Sequence, residues 1–314
     1  MSYKRLLKLT VLSFIAFVLI GCDEELTVDD VEIPEKSEAF FWEAEHNDKT
    51  IYFLGTVHAG HEEMYPMRDE IENAMDETEL LLTEVDMSSA EAREELNEIS
   101  RSYMYLPSGE KLEDYIPDEH MEEFKTLAEH PNMNYDVLNS LKPWAFLEFY
   151  SQQLIRETDY SFNNGVEYYL YDRMLDDTDL LPLEDYEVVI KNAHDQSMEY
   201  QEYLMEDALN MTEEGYFESI ENSVVAWRTG EESLRGEELL TRESLEDSDH
   251  PELEEQYFEE MLFNRDEQMA ERVDEIVHNH DADTIMVAPG FAHFFGPGNI
   301  LELLEEKGYD IERK

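Results

Sequence analysis

The sequence predicts an α/β fold, with α+β as the alternative: a central mixed sheet built from N- and C-terminal strands, covered by a long helical middle section. Near the N-terminus, the apolar runs "FFWEA" and "TIYFLG" flank the polar stretch "EHNDK" and predict a hairpin, and "LLLTEVD" predicts a buried strand. Two further strand patterns, "TIMVA" and "YDIER", come only near the C-terminus. Neither set of strands alone makes a stable sheet, so both ends of the chain must meet in one.

Helical patterns account for most of what lies between these strands. Residues 62–77 are predicted to be helical, and helical periodicity dominates from residue 88 to about residue 211, with prolines at the breaks and first turns. The pattern returns at residues 269–278, and "ILELLEEKG" predicts one more helix before the last strand. No solenoid-type repeat is present.

The first 21 residues have the features of an export signal. A positive region precedes the apolar run "LTVLSFIAFVLI", which is shorter than the roughly 20 residues that a spanning helix needs. The run ends in "LIGC", which resembles the bacterial lipoprotein signal, and Cys22 is then the lipidated residue. The predicted organisation is a signal peptide over 1–21, an acidic tether over 22–37 and one domain over 38–314, held at the extracytoplasmic face of the cell membrane. An uncleaved membrane anchor with an incidental cysteine is the alternative.

Cysteine content and charge exclude several classes of function. Cys22 is the single cysteine, so the folded body has no intrachain disulfide, cysteine cluster or cysteine nucleophile. The 22 basic and 79 acidic side chains give a formal charge of −57, and removal of residues 1–21, which hold three basic and no acidic side chains, makes it −60. Such a surface repels nucleic acid and anionic lipid. Dispersed acidity is typical of solvated surfaces suited to salty or alkaline surroundings; a dedicated cation-binding surface is the alternative.

Three polar side chains follow predicted buried strands. His58 ends "IYFLGTVH", Glu84 ends "ELLLTE", and His293 follows "TIMVAPG". In open α/β sheets, the crevice beyond the carboxyl ends of the strands is the usual ligand site. Gly55 and Gly290, each three residues before a histidine, are expected to let the backbone leave the strand at φ values that other residues avoid, and to let a ligand approach closely.

Two imidazoles and one carboxylate are a ligand set for a divalent metal with positions left open for water. A metal held by His58, Glu84 and His293 would activate water and polarise a carbonyl, with Glu84 or a histidine moving the proton. Each Gly-x-x-His alone also fits a structural histidine. His61 is a weaker candidate, and "HNHDAD" at residues 278–283 has a metal-like composition but is interpreted as a solvated helix end and turn.

The motifs "LGTVHAG", "LLLTEVD" and "APGFAHFFGPGNILELLEEKGYDIER" resemble the TraB/PrgY/GumN family, which includes the Tiki metalloproteases. Weaker similarities, "LKPWAF", "GVEYYLYDRM", "LPLE" and "RDEQMA", extend the resemblance over residues 38–313. The resemblance implies that His58, Glu84 and His293 form the active site, and that the cofactor is a divalent metal such as Mn, Co or Zn. It also places Arg265 where its guanidinium could hold Glu84 or a substrate carboxylate. A surface or helix-packing role for Arg265 is the alternative.

Three functions remain open on the sequence. The first is a lipid-anchored, metal-dependent hydrolase of an extracytoplasmic peptide, as the Tiki branch implies. The second is a non-catalytic binder of a peptide or small ligand, of the pheromone-shutdown type. The third is a metal-free hydrolase with a histidine base, suggested by kinship to erythromycin esterases. One departure from the family pattern is Pro289, which precedes the second motif and removes a backbone donor at the strand end.

Overall fold

The computed structural model describes residues 27–128, 134–174, 178–210, 213–235 and 250–314, together with residues 8–9 and 15–16. Cys22 and nearly all of the predicted signal peptide lie outside the described residues. Within residues 1–21, the short strands Lys8–Leu9 and Ile15–Ala16 pair with each other. Nowhere in the described ranges is a helix both long enough and apolar enough to span a membrane.

Six strands of the described residues form one mixed sheet in the order β4-β3-β5-β2-β1-β6. The four strands from β4 to β2 run parallel, and β1 and β6 complete the sheet through antiparallel pairs. This confirms the predicted mixed sheet of an α/β fold. The strands are β1 (Phe41–His46), β2 (Lys49–Leu54), β3 (Leu80–Thr83), β4 (Asp179–Pro182), β5 (Thr284–Ala288) and β6 (Asp310–Arg313).

The C-terminal strand β5 lies between β2 and β3. Phe53 of β2 is opposite Val287, and Thr83 of β3 is opposite Ala288, so the three strands end at the same edge of the sheet. Residues 51–54, 80–83 and 285–288 are all buried. Because side chains alternate between the two faces of a strand, complete burial means that both faces are covered, as parallel sheets require.

Helices supply most of the remaining described chain. Pro143 occupies the first turn of α5, where its missing N–H has no partner to lose. The helices are α1 (Asp69–Glu77), α2 (Ala90–Tyr103), α3 (Met121–Ala128), α4 (Tyr135–Leu138), α5 (Pro143–Arg156), α6 (Val166–Met174), α7 (Tyr186–Asp195), α8 (Met198–Asn210), α9 (Glu213–Thr229), α10 (Pro251–Phe258), α11 (Asn264–Asn279) and α12 (Ile300–Glu306).

The structure differs from the sequence prediction in two elements. Strand β4 comes from the middle of the chain, which the sequence predicts to be helical; its four residues are too few to show a strand period between two helices. The helix predicted over 62–77 is two pieces, a 3₁₀ turn at Glu62–Met64 and α1. Pro66 lies between them and cannot donate a helical hydrogen bond.

Helix α11 continues directly from α10 through a π-helical segment, Glu259–Phe263. Such insertions are rare and often occur at functional sites. The first turn of α11 carries Arg265 and Asp266, both buried. These two side chains enter the site described below.

The described part of the predicted tether lies against the domain. Val28 and Val31 pack on the hydrophobic core, and the buried Ser37 hydroxyl donates to the Met64 carbonyl oxygen at 2.7 Å. Elsewhere in the core, the Trp227 indole donates to the carbonyl oxygen of Gly55 at 2.6 Å, which fixes the chain just after β2. The sheet edge that carries the motifs is therefore anchored to the core.

Candidate active site

The ends of β2, β3 and β5 bring His58, Glu84 and His293 together around Gly290. Beyond the strands, Thr56 and Gly290 still form a parallel bridge, which holds the two Gly-x-x-His turns side by side. A Cβ atom placed on Gly290 would lie 3.1 Å from Glu84 Oε1, 3.6 Å from His58 Nε2 and 3.8 Å from His293 Cδ2. The three side chains singled out from the sequence thus face one small space beside the Gly290 backbone.

The glycines at the two turns act through close packing rather than through unusual φ values. Neither has a positive φ, and Gly290 is at φ −50°. That part of the expectation is wrong. A Cβ on Gly55 would come within 2.6 Å of the Phe291 Cβ, so only glycine lets the two turns pack together. Gly290 instead keeps space open among the site side chains, as the close approach of a ligand would need.

Pro289 does not disturb the second turn. Its carbonyl oxygen accepts a hydrogen bond from the Thr56 amide at 2.9 Å, which is the contact that continues the ladder between the two turns. The next amide, of Gly290, donates to Glu84 Oε1 at 2.7 Å. The backbone donor that proline lacks is therefore not one that the site uses.

The His58 ring is held by a buried carboxylate from helix α6. His58 Nδ1 lies 2.7 Å from Glu167 Oε1, which also accepts from the Thr56 hydroxyl. Burial by itself would lower the pKa of His58, but the charge and hydrogen bond of Glu167, together with the charge of Glu84, outweigh burial and raise the pKa to about 9. Within the described chain, His58 Nε2 is buried without a hydrogen-bond partner.

The entry of α6 is shaped to place Glu167. A Cβ on Gly165 would lie 2.3 Å from the His58 carbonyl oxygen, so a side chain there would push the helix away. The Val166 amide donates to the Val57 carbonyl oxygen at 3.0 Å. The first turn of α6 is thereby fastened to the His58 turn, which brings the Glu167 carboxylate against the imidazole.

The His293 ring has the same arrangement with Asp266 of α11. His293 is fully buried, and its Nδ1 lies 2.5 Å from Asp266 Oδ1. Burial raises the pKa of Asp266, against the opposing effect of His293. His293 Nε2 points toward Glu84, with 3.8 Å between it and Oε1. Each histidine is therefore oriented by a carboxylate at Nδ1, with Nε2 of His58 beside Gly290 and Nε2 of His293 facing Glu84.

Glu84 is fixed by Arg265, one of the two roles considered for that arginine. Arg265 Nη2 donates to Glu84 Oε2 at 2.6 Å, and its Nε and Nη2 also bind Glu184 at 2.8 and 2.6 Å. Burial would raise the pKa of Glu84, but Arg265 and the two histidines, with the Gly290 amide, hold it far below its usual range. Glu84 therefore stays ionised across the physiological pH range.

The donor set fits a divalent metal in type and orientation. Metal-binding histidines usually direct the second ring nitrogen to a carboxylate, as Glu167 and Asp266 do here, and this fixes the tautomer and the ring. The candidate ligand atoms are wider apart than in a site that holds a metal: those of His58, Glu84 and His293 do not all lie within 4.8 Å of one another in the described chain. Binding one ion at ligand distances of about 2.0–2.2 Å would draw them closer.

The site opens into a cleft of about 800 Å³. Its lining is mainly apolar and aromatic, with His58, Glu84 and Arg265 at one part of the wall. Glu148 of α5 also lies in the lining, and burial raises the pKa of its carboxyl against weaker opposing effects from Gln152 and His58. Other lining residues include Met104, Leu141, Trp144, Phe149, Phe162 and Tyr168.

Sequence comparison identifies the family of this chain. Residues 40–313 match the sequence profile of the TraB/PrgY/gumN family. The chain belongs to that family. The matched segment of this TraB-family protein contains both Gly-x-x-His turns, Glu84 and every carboxylate that supports them.

A curated relative gives a narrower match. A protein named "Metalloprotease TIKI homolog", from Nematostella vectensis, is 35% identical over 77 residues, which is 24% of this TraB-family chain and 16% of the relative. The match thus spans only a small part of that relative's length. No solved structure matches.

Sequence reasoning missed Glu167, Asp266, Glu184 and Glu148. All four lie on or beside segments noted as weakly similar to the family, namely "GVEYYLYDRM", "RDEQMA", "LPLE" and "LKPWAF". A usable signal was present for Glu167, since a glycine two residues earlier marks a close helix approach. With 79 acidic residues in the chain, composition could not separate these few buried carboxylates from the solvated ones.

Proposed function

We propose that this protein is a divalent-metal-dependent hydrolase of peptides, anchored through lipidated Cys22 at the extracytoplasmic face of the cell membrane. The observation that carries the enzymatic part is the pairing of each imidazole with its own buried carboxylate, His58 with Glu167 and His293 with Asp266. Family membership and the segment shared with a Tiki homologue support the reaction class.

Three side chains would hold the metal, through Nε2 of His58, Nε2 of His293 and a carboxylate oxygen of Glu84. The metal would supply Lewis acidity and an activated water when bound. Glu167 and Asp266 fix the rings so that Nε2 of His58 lies beside Gly290 and Nε2 of His293 faces Glu84. In the metal-free protein His58 is protonated at neutral pH, so metal binding there would release its Nε2 proton.

Arg265 and Glu184 keep Glu84 in place. Because Arg265 bridges both carboxylates, the Glu84 side chain cannot turn toward the open cleft without breaking a buried, charge-assisted contact. A carboxylate with such a low pKa is a poor proton carrier. We therefore assign Glu84 to ligand binding and look elsewhere for the group that moves the proton.

Glu148 has the properties expected of that group. It lines the same cleft as His58 and Glu84, and its raised pKa lets the carboxyl hold a proton closer to neutral pH. Its Oε1 accepts from the Gln152 amide at 3.1 Å, while Oε2 is buried without a hydrogen-bond partner among the described residues. Oε2 is thus the atom that would take a proton from water and return it to the leaving amine.

The alternatives are less well supported. A metal-free hydrolase with His58 as the base needs a neutral imidazole, and Glu167 keeps His58 protonated at neutral pH. A non-catalytic binder would use the same cleft, but binding alone gives no reason for two carboxylate-oriented imidazoles. The test below distinguishes the binder from the hydrolase.

The test combines metal analysis with a peptide-library cleavage assay. We expect the wild-type protein to bind a transition metal and to cleave peptides, and His58→Ala to lose both. Glu148→Gln should keep the metal and lose cleavage by roughly 10²-fold or more. Gln153→Glu, a change of similar size on the same helix but outside the cleft lining, is the control and should cleave normally.

Equal cleavage by wild type and His58→Ala would remove the mechanistic assignment. Metal binding lost in His58→Ala, with no wild-type turnover on any peptide, would favour the binder. The anchoring part is tested separately: Cys22→Ser should shift the protein from the membrane fraction to the soluble fraction. Unchanged membrane association would overturn it.

A further inference from the structure

The structure assigns a second metal site, separate from the proposed catalytic residues, to His46, Asp274 and His278. One nitrogen of each histidine and one carboxylate oxygen of Asp274 lie within 4.8 Å of one another, and no other set of three such groups in the described residues does so. This proposal does not rest on the proposed function, because none of the three residues belongs to the catalytic set.

The three ligands come from two regular elements. His46 is the last residue of β1, at the turn of the N-terminal hairpin. Asp274 and His278 are four residues apart on α11, so both point from one face of that helix. Two ligands one helical turn apart, with a third from a neighbouring element, form a common pattern for a bound transition metal.

Neighbouring side chains hold the ligands in position. The His46 ring stacks on Tyr309, with 3.9 Å between the ring centroids and 6° between the planes. The Tyr309 hydroxyl donates to Asp274 Oδ1 at 3.1 Å. His278 Nδ1 donates to the Asp274 carbonyl oxygen at 2.8 Å. Support of this kind around the ligands is what distinguishes a built site from a chance cluster.

Borderline metals suit this ligand set. Two imidazoles and a carboxylate favour Zn²⁺ and similar transition metals over Mg²⁺ or Ca²⁺, which prefer all-oxygen sites. The His278 side chain is 48% exposed, so an ion can enter from solvent and a water can complete the coordination. Lys307, 3.5 Å from Asp274 Oδ2, partly neutralises the carboxylate and would swing aside when an ion binds.

A metal here would tie the hairpin to α11, whose first turn supplies Arg265 and Asp266 to the active site. Along the helix, Asp266 and Asp274 are separated by about 12 Å, at 1.5 Å per residue. An ion at Asp274 therefore cannot take part in the chemistry. Its effect would be to stabilise the helix against the hairpin and so keep the supporting carboxylate in place.

Zinc binding by the metal-stripped protein tests the assignment. We expect His278→Ala to bind one zinc fewer than wild type, measured by equilibrium dialysis and metal analysis. His250→Ala, which also removes one imidazole, is the matched control and should keep the wild-type stoichiometry. The double variant His58→Ala/His293→Ala, which removes the proposed catalytic ligands, should still bind zinc at the second site.

Thermal and exchange measurements give a second readout. Zinc should raise the Tm of the double variant and slow amide exchange in residues 41–54, and adding His278→Ala to it should abolish both effects. Circular dichroism of each variant without metal checks that it is folded. If His278→Ala binds as much zinc as wild type, or if zinc raises its Tm by the same amount as in wild type, the assignment is wrong.

Discussion

The Gly290→Ala substitution tests whether the three proposed ligands share one position. Alanine is compatible with the Gly290 backbone, at φ −50° and ψ 138°, so the change adds a methyl group without backbone strain. The new Cβ would lie 3.1 Å from Glu84 Oε1 and 3.6 Å from His58 Nε2. The methyl group therefore enters the space in which a shared metal would sit.

The substitution is expected to lower the stability of the fold by a limited amount. Glu84 Oε1 must retreat by about 0.3 Å to reach an ordinary van der Waals distance of about 3.4 Å from the methyl group. Overpacking of this kind costs about 1–3 kcal/mol. Glycine-to-alanine replacement recovers about 0.4–1 kcal/mol by restricting the unfolded chain. The net loss of stability is up to about 2.6 kcal/mol. Each kcal/mol lowers the Tm by roughly 2–4 °C.

Metal affinity is the quantity that should change most. Displacing Glu84 and occupying the approach to His58 should weaken Zn²⁺ or Mn²⁺ binding by about 10–100-fold, the range seen when groups that position a ligand are altered. Competition with a chromogenic chelator measures the affinity, in the His278→Ala background so that only the site beside Gly290 contributes. Differential scanning fluorimetry measures the Tm.

Gly308→Ala is the control, because it strains the backbone without placing a methyl group in the site. Gly308 has φ +96°, and a Cβ atom placed on it would meet no atom within 4 Å, so alanine there strains the backbone and touches nothing. It should lose about 1–2 kcal/mol of stability and keep the wild-type metal affinity. Unchanged metal affinity in Gly290→Ala would refute the shared position, whatever its Tm.

Three further predictions follow from the electrostatics. Asp266→Asn should lower metal affinity by about 10–100-fold, whereas Glu267→Gln, the exposed neighbour, should leave it unchanged; equal effects would remove the role of Asp266 in orienting His293. In the metal-free protein, the raised pKa of His58 gives stability that is complete below pH 6.5 and is lost as pH rises through about 9. Between about pH 6 and pH 10, the free energy of unfolding in urea should therefore fall by up to roughly 3 kcal/mol more for wild type than for His58→Gln. Equal falls in the two proteins would contradict the pairing of His58 with Glu167. Because a net charge of −57 repels itself, the Tm should rise from low to high salt, and a flat or falling Tm would count against this.

The sheet was predictable because its strands carry local signals. Three of the strands, β2, β3 and β5, are built on continuous apolar runs bounded by polar or turn residues, and the Gly-x-x-His pair marked the edge where they end. Strand β4 carried no such signal, since its four residues are partly exposed at the edge of the sheet. Its pairing with β3 is a tertiary event that periodicity does not encode.

The three candidate ligands could be predicted from the sequence, whereas the carboxylates that orient them could not. The difference has a physical reason. His58, Glu84 and His293 each follow a recognisable strand, so position in the sequence indicates position in the fold. Glu167 lies 109 residues from His58, and Asp266 lies 27 residues from His293, on helices rich in acidic residues. Only the packed structure shows which carboxylates leave the solvent and meet an imidazole.

The late position of strand β5 in the sequence has a consequence for folding during synthesis. In the described sheet, β5 lies between β2 and β3 and pairs with both. Strand β6 forms the edge of the sheet next to β1. A nascent chain lacks the centre of its sheet, and one of the two histidines, until residues 284–293 have been synthesised. The centre of the sheet and the cluster of His58, Glu84 and His293 therefore both depend on the same late segment, and a chain that stops before residue 284 lacks both.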